Sequence, residues 1–368
     1  MTGTHNESLK PGRLMALDAL RGFDMFWIIG GSEIFTGLAK SAGGPFNILV
    51  PQFEHVRWEG LHFFDLIWPL FMFIVGVSLP FSIEKRIAGG ATKRSLYLHA
   101  IRRSVILFVL GMIAQGGLLE WDISKLHPCY SVLHGIAAGY LIAFIVAIEF
   151  RPRMQAAMTG IFLLAYWAVV MLIPVPGKGA GILTPDVNLA TWVDQAILGR
   201  FHYGENTWFL SYPAFASSVL LGVLAGHLLK LPQSGSRKVL VLAGAGIGCT
   251  MTGLLWSLSF PVIKLMWTSS YVLIGGGFGF LMLSLFYWIT EVLGYRRWAF
   301  FFTVIGMNSI AVYMAMMLFN FSLISNIFIG NLVPRLGLWD DFVSSVGFFS
   351  VTWLILLWMY RTRTFIKL

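Results

Sequence analysis

Charge is what this sequence lacks. Only 12% of its 368 residues are Asp, Glu, Lys or Arg, about half the ~25% of an ordinary soluble domain. So little polar surface cannot coat a water-soluble fold of this length. Cysteine is nearly absent as well. Cys129 and Cys249 form no metal or redox spacing, and Cys249 falls inside an apolar run. Two free thiols are expected, not a disulfide framework. No internal repeat is evident, which weakens a transporter built from duplicated halves.

What is there is apolarity: 57% of the residues are hydrophobic, and the mean hydropathy is +0.76. Runs such as VILFVLGMIA and FGFLMLSLFYW are apolar regardless of period. They approach the roughly 20 residues that a helix needs to cross hydrocarbon. Ten spans are expected, at about 17–37, 61–83, 100–118, 130–149, 155–174, 208–229, 239–258, 268–291, 299–319 and 342–360. The fold class is therefore all-α, a polytopic transmembrane bundle forming one domain over 13–368 behind a loose polar tail at 1–12.

The net charge of +9 is distributed by side. With the N-terminus cytoplasmic, only seven of the 26 Lys and Arg lie outside: Lys40, Arg57, Lys125, Lys178, Arg200, Lys264 and Arg335. That asymmetry is the positive-inside signature, and it sets both termini in the cytoplasm. A nucleic-acid surface would instead be one continuous basic patch. The first span follows Lys10 and Arg13 but carries Arg21, Asp24 and Glu33, so it is no cleavable signal segment.

The outside loops at 38–60, 175–207 and 320–341 are long enough to make a cap. VPGKGAGILTPDVN has turn chemistry throughout, and LATWVDQAILGRFH has the pattern of a short amphipathic helix. IGGGFGF, at 274–280, permits either close helix approach or a break that lines a cavity.

Ionisable groups at membrane depth are costly and face cavities or partners. Asp18 and Arg21 are three apart, so a helix puts them on one face. They form an ion pair at the helix entrance, or Arg21 borders the phosphates of an anionic cosubstrate. Asp24 is one turn deeper, and Glu33 stands near the outer end. The segment EHVRWEGLHFFD packs Glu54, His55, Arg57, Glu59 and His62 ahead of Asp65. If the second span begins early, His55, Glu59 and His62 share a helical face. No zinc spacing is present and no metal is expected. A histidine that titrates near neutrality suits a general base, while Trp58 suits an interfacial belt or a substrate platform.

Taken in order, LDALRGFDMFWIIGG, EHVRWEGLHFFDLIWPLFMFIVGVSLPFS, SVLHGIAAGYL, LLGVLAG, WTSSYVLIGGG and IGMNSIAVY resemble the heparan-α-glucosaminide N-acetyltransferase family, from about residue 13 to 315. The resemblance implies a compact, bacterial-type multi-pass protein of the inner membrane. It would move acetyl from cytosolic acetyl-CoA to the amine of a glucosamine or related glycan acceptor outside. The family's active-site His matches His55, and the Asp of its Asp-Leu-x-x-Pro segment matches Asp65. The family has an Asn after its first span, where this chain has GGSEIF, so Glu33 or Ser32 would serve to orient His55. The Gln-Arg of its fourth-span motif is His134-Gly135 here.

On this reading Asp65, about three turns below His55, lines a channel to the cosubstrate. Arg21, Arg102, Arg103 and Lys238, with His134, are the candidates for binding acetyl-CoA. Lys264, Trp267, Ser270, Tyr271 and Asn308 are candidates for oxyanion or acceptor contacts, with Asn308 preferred, and Asp24 and Trp58 for the acceptor. The lipid bilayer is a partner, nucleic acid is not, and a homodimer is compatible with such packing. The rival readings are an O-acetyltransferase of cell-envelope glycans and a proton-coupled sugar transporter.

Overall fold

The computed structural model describes residues 14–366, and the expected tail at 1–12 lies outside them. Among the described residues every regular element is a helix, joined by loops with three isolated β-bridges. Eight helices are long and apolar enough to cross a membrane, and a bent pair makes a ninth. The protein is an integral membrane protein.

The chain opens with α1 (Met15–Phe26), which passes through a π-helical turn at Trp27–Gly31 into α2 (Ser32–Ala42). The expected span at 17–37 is thus interrupted, and neither half is among the helices long and apolar enough to cross a membrane, so up to nine crossings stand among the described residues where ten were expected. Gly30 sits at φ 130°, a conformation open to glycine, and the helix axis bends there. The long helices α3 (Ile67–Ala88), α4 (Lys93–Ala114), α5 (Val132–Glu149) and α6 (Pro152–Leu172) follow. Next come the short α7 (Leu189–Leu198), then α8 (Tyr212–Lys230), α9 (Gly235–Trp256) and α10 (Ser269–Tyr287). The ninth crossing is α11 (Ala299–Gly306) and α12 (Ser309–Leu318), bent by 66° at Met307–Asn308. A surface helix α13 (Phe321–Ile329) and the final α14 (Asp340–Arg361) complete the order.

Sequence cues explain the starts. Thr92, Ser131, Asn188 and Ser234 each accept a backbone N–H from the first turn of α4, α5, α7 and α9. Pro152 and Pro213 stand in first turns, where no N–H is needed. The amphipathic helix expected around 189–202 is α7. The triple glycine does not break α10. It admits Pro69, Leu221 and Thr250 from three neighbouring helices.

The core helices are α3 and α8, which cross where Gly76 faces Gly222 with no room for a side chain. Both ends of the described chain reach one face, here the terminal face. Ala16 donates to Glu291, Gly306 packs on Asp18, and the neighbouring Asn308 amide donates to the Thr364 carbonyl at 3.1 Å. The opposite, far face carries residues 43–66 and the loop between α9 and α10.

Candidate functional site

The site forms where α3 begins on the far face. Residues 54–62 are not helical, so His55, Glu59 and His62 share no helical face; the expected early start gives way to a short 3₁₀ turn at Phe63–Leu66. Asp65 causes that. Placed three residues after His62, its Oδ2 reaches back to the His62 N–H at 3.1 Å, the reciprocal cap of a helix start. The same oxygen accepts the Val56 N–H at 3.2 Å, which folds the loop over the carboxylate. Its Oδ1 meets His55 Nδ1 at 2.8 Å. Asp65 is therefore the direct partner of His55 and not a group three turns below it.

A third side chain arrives from far along the chain. The loop between α9 and α10 lies beside residues 59–60 through a Glu59–Ile263 bridge and a 2.9 Å bond from Gly60 N–H to the Val262 carbonyl. That pairing sets Lys264 Nζ at 3.0 Å from Asp65 Oδ1 and 2.8 Å from His55 Nδ1. Burial pushes the Lys264 amine below the usual lysine range, and the Asp65 charge opposes the shift. Tyr271 donates to the Asp65 carbonyl at 2.6 Å and pins the turn.

Exposure divides the three. The Asp65 side chain is 0% exposed and that of Lys264 13%, while that of His55 is 54% exposed. The imidazole stacks on Phe64 with 4.8 Å between centroids. His55 Nδ1 faces both Asp65 Oδ1 and Lys264 Nζ at 2.8 Å, and Lys264 Nζ stands 3.4 Å from Nε2; in the tautomer whose Nδ1–H donates to the carboxylate, Nε2 is the ring's acceptor, the arrangement that suits a general base.

His55 and Lys264 stand at a cavity of about 220 Å³ that leads in between helices, walled by Met25 of α1, Ile28 of the π-helical turn after it, Trp68 and Phe71 of α3, Ile136 of α5 and Tyr313 of α12. Its deeper polar pair is Tyr313, which donates to Gln115 at 3.3 Å. Such a volume falls below the roughly 300–1,000 Å³ of a drug-sized pocket. It suits the narrow end of a ligand, not a whole sugar or nucleotide.

The other expected residues are distributed elsewhere. Glu33 accepts from Ser32 at 2.8 Å, and none of its hydrogen bonds goes to His55; Asp65 occupies the orienting position. Asn308 is taken up by the C-terminal segment, donating to Thr364 and accepting from Ile366 N–H at 3.0 Å, and makes no bond to the His55 cluster. His134 caps α5: Nδ1 accepts the N–H groups of Tyr130 and Ser131, and Nε2–H donates to the Phe108 carbonyl, so no ring nitrogen remains for a ligand. Trp58 Nε1 donates to the Leu183 carbonyl at 2.7 Å, Trp267 Nε1 to Ser218, and Ser270 to the Pro261 carbonyl. These hold the cap and the α9–α10 loop together. Lys238 donates to the Leu229 carbonyl at the terminal face.

Toward that face, Arg21 reaches Ser78 at 3.1 Å and Asp18 at 3.6 Å. Arg103 stacks 4.6 Å over the Tyr140 ring, and its buried Nε has no hydrogen-bond partner among the described residues. Arg102 projects outward from α4. Asp24 is fully buried, and neither of its carboxyl oxygens has a hydrogen-bond partner among the described residues. Among the described residues no group of His, Cys, Asp and Glu could hold a metal ion.

Sequence reasoning missed Gln115 and Tyr313, which meet only through the packing of distant helices, and Phe64, which the fold of the 54–66 loop sets under the His55 ring. The cap spacing of His62 and Asp65 was the signal that could have revealed the turn.

No family model matches the chain. It is 25% identical to the Homo sapiens heparan-alpha-glucosaminide N-acetyltransferase, over 83% of its own length and 53% of that protein. It is 26% identical to the Mus musculus protein of the same name, over 82% and 53%. The chain thus spans about half the length of the curated relatives it matches. That similarity runs through most of the chain's residues, and it is to proteins named for the same family that the sequence motifs resemble.

Proposed function

We propose that the protein is a membrane acetyltransferase of a bacterial inner membrane, carrying acetyl from cytosolic acetyl-CoA to the amine of glucosamine or a related amino sugar outside. The observation that carries this reading is the His55–Asp65–Lys264 cluster at the mouth of a narrow cavity between helices. The terminal face is the cytoplasmic one, by the placement of Lys and Arg in the sequence.

The cosubstrate's phosphates meet cations on that face. Arg21 and Arg103 belong to α1 and α4, helices that also bound the cavity or its polar end at Gln115. Arg86 and Arg102 lie close enough to share the electrostatic field of Arg103 at His99. An unpartnered guanidinium Nε is suited to a phosphate oxygen. The thioester end then occupies the narrow cavity, and the acceptor approaches His55 from the exposed side.

There the amine lone pair attacks the thioester carbonyl carbon. His55 Nε2 takes the proton that the nitrogen sheds, while Asp65 holds Nδ1–H and stabilises the imidazolium. Lys264, with donors beyond the one facing Asp65, supports the oxyanion. The C–S bond breaks, and the departing thiolate recovers the proton from His55.

The test is direct: purified protein is mixed with radiolabelled acetyl-CoA and glucosamine, beside a His55→Ala variant. Transfer by the wild type and its loss in the variant support the reading. No transfer to any amino sugar or sugar hydroxyl, with glucosamine uptake into liposomes, would replace it with a transporter.

A further inference from the structure

A cavity larger than the one at His55 lies away from that site. Helix α6 packs on α8, and α9 packs on α10, which leaves a cleft of about 970 Å³ between α6 and α9. Its floor is Leu221 and Leu224 of α8 with Leu273 and Phe280 of α10. One wall is a single stripe of α9, with Ala245, Gly248, Cys249 and Thr252 on successive turns. The cleft opens sideways, because only 17% of the α9 span is buried. Gly248 faces it freely: a Cβ placed there would meet no atom within 4 Å.

Length and charge say what fills it. From Lys230 at the terminal face to Leu221 the helix rises roughly 13 Å at ~1.5 Å per residue. That is close to half of a ~30 Å hydrocarbon core, the depth of one leaflet. An apolar cleft in contact with acyl chains holds a chain and not water. Its end at the terminal face is cationic. Arg153 lines the cleft and is engaged by no acceptor among the described residues. Lys230 lines it too, sharing its charge with Glu84 at 2.7 Å, and Lys238 is anchored beside it on the Leu229 carbonyl. His227 is held by Gln155 at 3.0 Å. Three cations against one carboxylate select an anionic headgroup.

We propose that this cleft is a binding site for one anionic phospholipid of the leaflet on the terminal face, with its phosphate at Arg153 and Lys230 and an acyl chain along Gly248. The proposal is independent of the acetyl-transfer reading, since neither Arg153 nor Gly248 belongs to that site.

The full-length protein is reconstituted in nanodiscs containing equal phosphatidylglycerol and phosphatidylcholine, released into mild detergent, and weighed by native mass spectrometry. About one phosphatidylglycerol per chain is expected on the wild type. Gly248→Trp, which fills the cleft, should lower that occupancy about tenfold. Arg153→Gln should keep a lipid but lose the preference for phosphatidylglycerol. The proposal is overturned by a wild type that retains no lipid or both lipids equally, or by a folded Gly248→Trp that retains as much as the wild type. Where Gly248→Trp does not fold, Arg153→Gln decides: an unchanged headgroup preference overturns the site, and a lost preference supports it.

Discussion

Asp65 Oδ1 lies 2.8 Å from His55 Nδ1, while the other oxygen of the same carboxylate is held by two backbone N–H groups. The carboxylate cannot swing away without undoing the turn that starts α3. It therefore keeps an acceptor against His55 Nδ1, which favours the proton on that nitrogen. Asp65→Asn keeps the size of the side chain but lets the amide present N–H where oxygen stood. We expect acetyl transfer to fall by roughly 10²–10⁴ with little change in acceptor KM. A variant that kept wild-type kcat would remove Asp65 from the mechanism.

Lys264 bridges the pair, at 3.0 Å from Asp65 and 2.8 Å from His55. If its ammonium supports the developing oxyanion, Lys264→Met should cost about 10²–10³ in kcat. A purely structural cation would be replaced adequately by arginine. The planar, longer guanidinium cannot keep both contacts, so Lys264→Arg should recover only a small part of the loss. Full recovery in single-turnover assays would assign Lys264 a packing role.

Arg103 is stacked on Tyr140 and leaves Nε without a partner in a buried setting. If it contacts the cosubstrate's phosphate as proposed, it acts on binding and not on the chemical step. Arg103→Ala should raise the KM for acetyl-CoA about tenfold, near 1.4 kcal/mol, with kcat unchanged. Arg103→Lys should not restore it, because an ammonium does not stack and bond as the planar group does. A fall in kcat at unchanged KM would argue against cosubstrate binding here.

How much of this was legible beforehand depended on the range of the interaction. Apolar runs announced the crossing helices, because each run records its own solvent. The Gly30 break was hidden, since Gly30 and Gly31 in an apolar run also suit an unbroken packed helix. The His55 partner was misread for a local reason: extending the helix back to His55 put Asp65 three turns away, whereas the cap at His62 brings the two together. Lys264 was named as an oxyanion or acceptor candidate, but its neighbours were invisible. They depend on the pairing of Gly60 with Val262, two loops joined only in the folded chain.

Asp194, on the far-face helix α7, gives the protein a pH dependence of its own. Burial pushes its carboxyl up to about 6, against the Trp208 and Phe209 N–H bonds that favour the charge. An unfolded Asp titrates near ~3.9. Between these values the folded chain binds more protons than the unfolded one, so this contribution is full below ~4 and is lost as pH rises through ~6. The loss is about 3 kcal/mol at most, from ~1.4 kcal/mol per unit. Thermal melts in detergent should show wild type weakening between pH 4 and 7 relative to Asp194→Asn. Parallel profiles for the two would mean that Asp194 does not titrate in this range.

The α3–α8 crossing supplies the last test, because it supports the wall that carries Trp68 and Phe71 beside the cavity. A Cβ at Gly76 would run into the Val219 carbonyl and the Gly222 backbone. Gly76→Val must therefore force α3 and α8 apart, with a stability loss of about 3 kcal/mol or more, at the upper end of overpacking. Gly244 of α9 is the control, since a Cβ there meets nothing within 4 Å. Gly244→Ala should be neutral or stabilise by roughly 0.5–1 kcal/mol, as alanine restricts the unfolded chain. Detergent unfolding of the two variants should separate them widely, and in the first acetyl transfer should fail together with the fold. Equal stability of both would mean that the two helices do not meet at Gly76, and the cavity wall built on that contact would need another support.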